Sequence, residues 1–233
     1  MDDLVAAAIH DAKNELSALG VWIVEAQRDY AACTTTPSAA LTRAAAIAST
    51  LSGQLVELLA LYRAGEGSLR LAVEDHFVDD FLADVLSELN QSRPAARDDG
   101  DPRLAGELAI RTDFAATAAI GTWAFDAYLV KFALLDALRN ALRRARSQVL
   151  LRFAAAAGGG VRFDVEDDGP GYPDQVLRAA AALEMSSGSS GLGLTFARLI
   201  AARHATPAGR HGQLELANDG LAGGGARFTL ILP

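Results

Sequence analysis

Two apolar seams near the start of the chain constrain its fold more than any other feature. Ile9, Ala12, Leu16, Leu19, Ile23 and Ala26 recur at alternating spacings of three and four residues, as do Leu41, Ala44, Ala48, Leu51, Leu55, Leu58 and Tyr62. Side chains so spaced share one helix face, so the seams predict one helix over 2–30 and a second from about 41 to 64. Between them, residues 31–40 (AACTTTPSAA) break the pattern with Pro37 and a Thr/Ser cluster. A turn of that length folds two helices back as an antiparallel hairpin. A lone hairpin leaves apolar surface in water, and two hairpins paired into a four-helix bundle cover it. The expectation is therefore a homodimer, the alternative being seams packed on the chain's own second domain.

On the first helix His10, Lys13, Asn14 and Ser17 share the polar face, so His10 faces solvent. It has no acidic residue at i+4 and no second histidine nearby, which makes it a poor metal site. The net charge of −8 repels phosphate backbones, and no Lys/Arg run is interleaved with aromatics, so nucleic acid is not an expected partner. The single Cys33 fits a reducing compartment. No stretch of about 18 uncharged apolar residues exists, so the expectation is a cytoplasmic protein without a membrane segment in this chain.

Ala64-Gly65-Glu66-Gly67 reads as a linker, dividing the chain into a hairpin at 1–64, a linker at 65–67 and a second domain at 68–233. Beyond it the pattern predicts a strand at Leu69 to Val73, a helix at Val78 to Leu89, a polar loop at Gln91 to Arg103 and a strand near Glu107 to Arg111. A long helix follows from about Phe125 to Arg146, then strands at Gln148 to Ala155 and Val161 to Glu166 joined through Gly158-Gly159-Gly160. This order is α+β, not a βαβ repeat.

Chemistry gathers in three places. On the long helix, Asp136 and Asn140 stand four apart on one face with Arg143 a turn further on, offering a carboxylate and an amide oxygen to a hydrated hard cation. In VEDDGPG a strand ends in acids and two glycines around a proline; Asp167 there can accept from an exocyclic amine while Gly169 and Gly171 let backbone approach a planar ring. In SSGLGL, Gly191 and Gly193 open an apolar helix through Leu194, leaving bare amides at the positive end of its dipole, where phosphate binds.

In this order and spacing, DALRNALRRA (136–145) resembles the N box, DDGPG (167–171) the G1 box and SSGLGL (189–194) the G2 box of the histidine kinase, Hsp90, MutL and gyrase superfamily, and the closing stretch from Gly212 to Pro233 is similar to its terminal strands in sensor kinases. HDAKNEL (10–16) resembles the H box of two-component histidine kinases, with Glu15 where proline is usual. The resemblance implies a GHKL-type α/β sandwich ATPase domain after a dimeric helical hairpin. Asn140 would chelate Mg2+ with Asp136 helping through its waters, and Arg143 would lie beside them. Asp167 would read adenine, Gly169 and Gly171 would flank the ring, and Gly191, Gly193 and Leu194 would form the phosphate seat for ATP.

His10 would be the nucleophile, its neutral tautomer fixed by Asp11, and Asn14 would orient a water for dephosphorylating a partner. The partner implied is the receiver domain of a response regulator, with a separate sensor protein supplying the signal. No paired-phenylalanine F box stands between G1 and G2, and the lid, Tyr172 to Ser190, is short. Two other readings stay open: a histidine phosphotransfer adapter or phosphatase whose ATPase-like domain no longer binds nucleotide, and a serine kinase acting on an anti-sigma partner. His76, His204 and His211 read as structural or exposed.

Overall fold

In the computed structural model, which describes residues 39–91, 108–181 and 191–233 with Leu19 and 21–23, helix α1 (Ala39–Gly65) carries the second seam. It runs straight through the first half of the expected linker. Leu19 and residues 21–23 are helical. The rest of the first seam, with His10, Asp11 and Asn14, lies outside the described residues, as do the 31–38 turn and most of the 91–103 loop.

Helix α1 has two unlike faces. Ala44, Leu51, Gly53, Glu57 and Ala60 are buried, whereas Leu55, Leu59 and Tyr62 are 58%, 49% and 63% exposed. A Cβ at Gly53 would stand 3.7 Å from the Phe132 ring, and Ala60 belongs to the main core. The chain's own second domain thus covers one side of α1 and leaves an apolar stripe on the other.

Residues 68–73 are not the expected strand. Leu69 and Leu71 do pack on the core, so their alternation is real. Their backbone is claimed elsewhere: Ala72 N donates to Asp126 Oδ2 at 2.9 Å, while Arg203 donates to Leu69 O at 3.3 Å and Ala64 O at 3.4 Å. Strand β1 (Glu74–Phe77) comes next and leads directly into α2 (Val78–Gln91). Further on come β2 (Ala109–Asp113), the short α3 (Thr117–Ile120), β3 (Thr122–Phe125), α4 (Ala127–Arg144), β4 (Gln148–Ala155) and β5 (Val161–Asp167). The chain ends with α5 (Asp174–Ala181), α6 (Gly191–Arg203), β6 (Gln213–Ala217), a 3-10 turn at Leu221–Gly223 and β7 (Arg227–Leu232).

Strands β1 and β3 pair antiparallel as a separate ribbon, and the main sheet has the order β2-β4-β5-β7-β6. Within it β2 and β4 are parallel and the other neighbours antiparallel. The three-glycine turn between β4 and β5 requires glycine, because Gly158, Gly159 and Gly160 have φ of 80°, 83° and 134°.

Alternation along the strands sorts the sheet's faces. Val149, Leu151 and Phe153 of β4, Phe163 and Val165 of β5, and Phe228, Leu230 and Leu232 of β7 meet the helices. Phe163 is the hub, with ring centroids 5.1 Å from Phe153, 5.9 Å from Phe81 and 6.1 Å from Phe125. The other face is ion-paired: Arg152 bridges Asp113 and Glu166, and buried Asp164 takes Arg162 and the Thr229 hydroxyl. The same alternation delivers Asp167, the last residue of β5, to the helix-covered face.

Candidate functional site

Helix α4 starts where it does because Asp126 caps it, Oδ1 accepting from Leu129 N at 3.0 Å. The cap is itself held by His204 at the end of α6. His204 Nε2 accepts from Asp126 N at 2.9 Å, so its proton sits on Nδ1, 2.7 Å from Ile200 O. Burial lowers the pKa of His204, with Ile200 and Asp126 opposing.

One face of α4 is apolar and buried from Leu129 to Ala141. Asp136 and Asn140 meet on another, where Asn140 Nδ2 donates to Asp136 Oδ2 at 2.9 Å and the Arg143 guanidinium donates to Asn140 Oδ1. Against them lies the first turn of α6. A Cβ at Gly193 would fall 2.0 Å from Asp136 Oδ2, so only glycine permits this approach. Burial pushes the Asp136 carboxyl up against the pull of Arg143, Arg139 and Asn140.

Helix α1 adds a residue that the sequence pattern does not single out. Glu57 is 6% exposed, and its carboxyl is pushed up to about 8 by burial and then by Asp136, with Arg139 opposing. A glutamate among Val56 and Leu58 looks like one residue of a solvated stripe until α4 is known to cross it.

The G1 stretch forms a tight loop at the end of β5. Asp167 is 3% exposed, and its Oδ1 accepts from Gly169 N at 2.7 Å and Ala226 N at 3.2 Å. Both of these bonds fall on Oδ1. A Cβ at Gly169 would meet Arg144 O at 2.5 Å, so the loop lies against the end of α4. Asp168, also unremarked in the sequence, faces the opposite way and accepts from the amides of Arg146 (2.8 Å), Ser147 (3.1 Å) and Gln148 (3.3 Å) and from Ser147 Oγ (2.5 Å). Burial works against these bonds, yet they hold the Asp168 carboxyl down to about 2. No local pattern could have found this role, because the amides that Asp168 holds lie 20–22 residues upstream.

Gly171 has φ of 80°, and the half-buried Tyr172 comes directly after it. Burial raises the Tyr172 pKa first, and the charges of Asp167 and Asp136 raise it further, against Arg144. Asp136, Asn140, Arg143 and Gly193 thus converge, with Asp167, Gly169 and Gly171 in the adjoining loop. Gly191 opens α6 and Leu194 packs on the core.

The donor set suits a hard cation. It offers the Asp136 carboxylate and the Asn140 amide oxygen, and among the described residues no group of three or more His, Cys, Asp or Glu converges. So few protein ligands leave the remaining positions to water or substrate oxygens, which is how Mg2+ is usually held.

Residues 126–233 match the family model described as histidine kinase-, DNA gyrase B-, and HSP90-like ATPase. No curated protein sequence matches the chain. Among solved structures, the histidine kinase AdeS of Acinetobacter baumannii is similar over 96% of each chain, with 16% identity and a TM-score of 0.60. Full-length ShkA in complex with AMPPNP is similar over all of this chain and 45% of its own, with 21% identity and a TM-score of 0.58. A mycobacterial sensor histidine kinase, MprB, is similar over 70% of this chain and 97% of its own, with 19% identity and a TM-score of 0.51. The first two likenesses extend the shared fold from the matched domain to α1.

Proposed function

We propose that this chain, whose residues 126–233 form a histidine kinase-, DNA gyrase B- and HSP90-like ATPase domain, is a protein-histidine kinase that uses Mg-ATP to phosphorylate its own His10. The observation that supports this most is the contact of Gly193 with Asp136 beside Asn140, which joins the helix N-terminus suited to phosphate to the oxygens suited to a cation. Asp167, with one carboxylate oxygen engaged by Gly169 and Ala226, keeps the other for the adenine amine. Gly169 and Gly171 bring bare backbone alongside the ring.

Mg2+, when bound, neutralises charge on the triphosphate. Asn140 and Asp136 would hold it, and Arg143 must swing off Asn140 Oδ1 for that oxygen to serve. The amides opening α6 at Gly191 and Gly193 hold the phosphates. His10 Nε2 attacks the γ-phosphorus as the bond to the bridging oxygen breaks and ADP leaves, with Asp11 keeping the proton on Nδ1. The phosphoryl group then passes to an aspartate of a response-regulator receiver domain in the cytoplasm, and Asn14 orients a water for the reverse, phosphatase, reaction.

In this reading residues 1–64 are the phosphotransfer hairpin, 65–67 the linker and 68–233 the catalytic domain. The exposed Leu55, Leu59 and Tyr62 stripe supports a homodimer, and a separate sensor protein provides the input. No described helix is long and apolar enough to cross a membrane.

The test is incubation with ATP labelled at the γ-phosphate, scoring acid-labile, base-stable label on the chain. Label on the wild type that vanishes in both His10→Gln and Asn140→Ala supports the kinase. An unlabelled wild type that binds no ATP, yet accepts phosphate from a phosphorylated receiver, would replace it with the adapter reading.

A further inference from the structure

Asn218 stands on the turn after β6, exposed to solvent. Its side-chain amide pairs with the backbone of Tyr172 in both directions. Oδ1 accepts from Tyr172 N at 2.7 Å, and Nδ2 donates to Tyr172 O at 2.9 Å. This is the exchange that a neighbouring strand residue makes in an antiparallel ladder. Here a side chain makes it just beyond the ladder, since β6 and β7 stop pairing at Ala217 and Arg227.

The partner loop is built to receive it. A Cβ at Gly171 would lie 2.7 Å from Asn218 Oδ1, and the φ of 80° there already favours glycine. Upstream, Asp168 ties the same loop to residues 146–148. Gly169, Pro170 and Gly171 are therefore held from both sides, by Asp168 on one and Asn218 on the other. The residue that Asn218 clamps is Tyr172, which ends the loop that starts at Asp167 and lies against the end of α4.

An exposed pair of hydrogen bonds adds little to global stability, because water replaces both partners when it breaks. Its consequence is conformational. We infer that Asn218 is a positioning residue for nucleotide binding, fixing the Gly171–Tyr172 backbone and with it the loop that starts at Asp167 and lies against the end of α4. The inference rests on the nucleotide-site reading above.

The experiment is calorimetric titration of the full chain with Mg-ADP, with KM and kcat for ATP-dependent autophosphorylation measured alongside. The variants are Asn218→Ala, which removes both bonds, and Asn218→Asp, which keeps the acceptor and loses the donor. The expected result is affinity weakened about tenfold in the alanine variant and by an intermediate factor in the aspartate variant. KM should rise in parallel, with kcat nearly unchanged and the thermal midpoint shifted by only a few degrees. Unchanged affinity, a fall in kcat alone, or an affinity loss that merely tracks a collapse in thermal stability would each overturn the inference while leaving the nucleotide site standing. A wild-type chain that binds no Mg-ADP would overturn the nucleotide reading and this inference with it.

Discussion

Gly193 and Asp168 show how single side chains set the site's geometry. Gly193→Ala places a methyl group 2.0 Å from Asp136 Oδ2, and overpacking of this kind costs about 1–3 kcal/mol. Because either the Asp136 carboxyl or the first turn of α6 must move to make room, Mg-ADP affinity should fall on the order of tenfold or more by calorimetry. Asp168→Ala removes the acceptor of three part-buried backbone amides, at a net cost of roughly 0.5–1.5 kcal/mol each because water reaches the exposed Arg146 and Ser147. The folded pKa of about 2 lies below the ordinary 3.8, so this stabilisation is present above about pH 4 and is lost as pH falls through 2. Thermal midpoints of wild type and Asp168→Ala should therefore differ clearly at pH 5 and converge toward pH 2. At this scale the sequence pattern singled out Asp136, Asn140, Asp167 and the motif glycines, which the fold brings into one neighbourhood. It was silent on Asp168, Glu57 and Asn218, whose partners lie 20 or more residues away along the chain.

Helix α1 carries the test that belongs to whole elements. Glu57 meets Asp136 and Arg139 of α4 across the α1 contact. Its folded pKa, about 8, is above the ordinary 4.5, and that of Asp136 is also raised. The contact therefore favours protonated carboxyls. Its contribution is full below about pH 4.5 and drains away as pH climbs through 8. Glu57→Gln, neutral throughout, should gain thermal stability over wild type between pH 6 and 8.5 and show little difference at pH 4.5. Strands β4 and β5 could be read directly, since glycines bound a short turn between two apolar runs. Strand β1 could not, because its partner β3 lies some 45 residues on and the stronger local alternation sat at Leu69 to Val73. Those residues gave their hydrogen bonds to a helix cap and an arginine instead.

For the whole molecule, the exposed stripe of α1 predicts assembly. Replacing Leu55 and Leu59 with arginine should convert a dimer to a monomer in sedimentation analysis and leave the second domain folded, since neither side chain enters its core. An unchanged sedimentation coefficient, with wild type already monomeric, would count against the bundle. The order of strands in the main sheet bears on how the chain is made. Among the described residues β6 touches the sheet only through β7, and β7 is the last of these strands to be synthesised. Until residue 232 has left the ribosome, β5 has an open flank, β6 has no neighbour, and the site loop lacks the amide of Ala226 that holds Asp167. Translation delivers on the order of 5–20 residues per second. For the seconds between the emergence of β5 and of β7, the nascent domain exposes an unpaired strand edge to the cell, and chaperone capture during synthesis should concentrate in that interval.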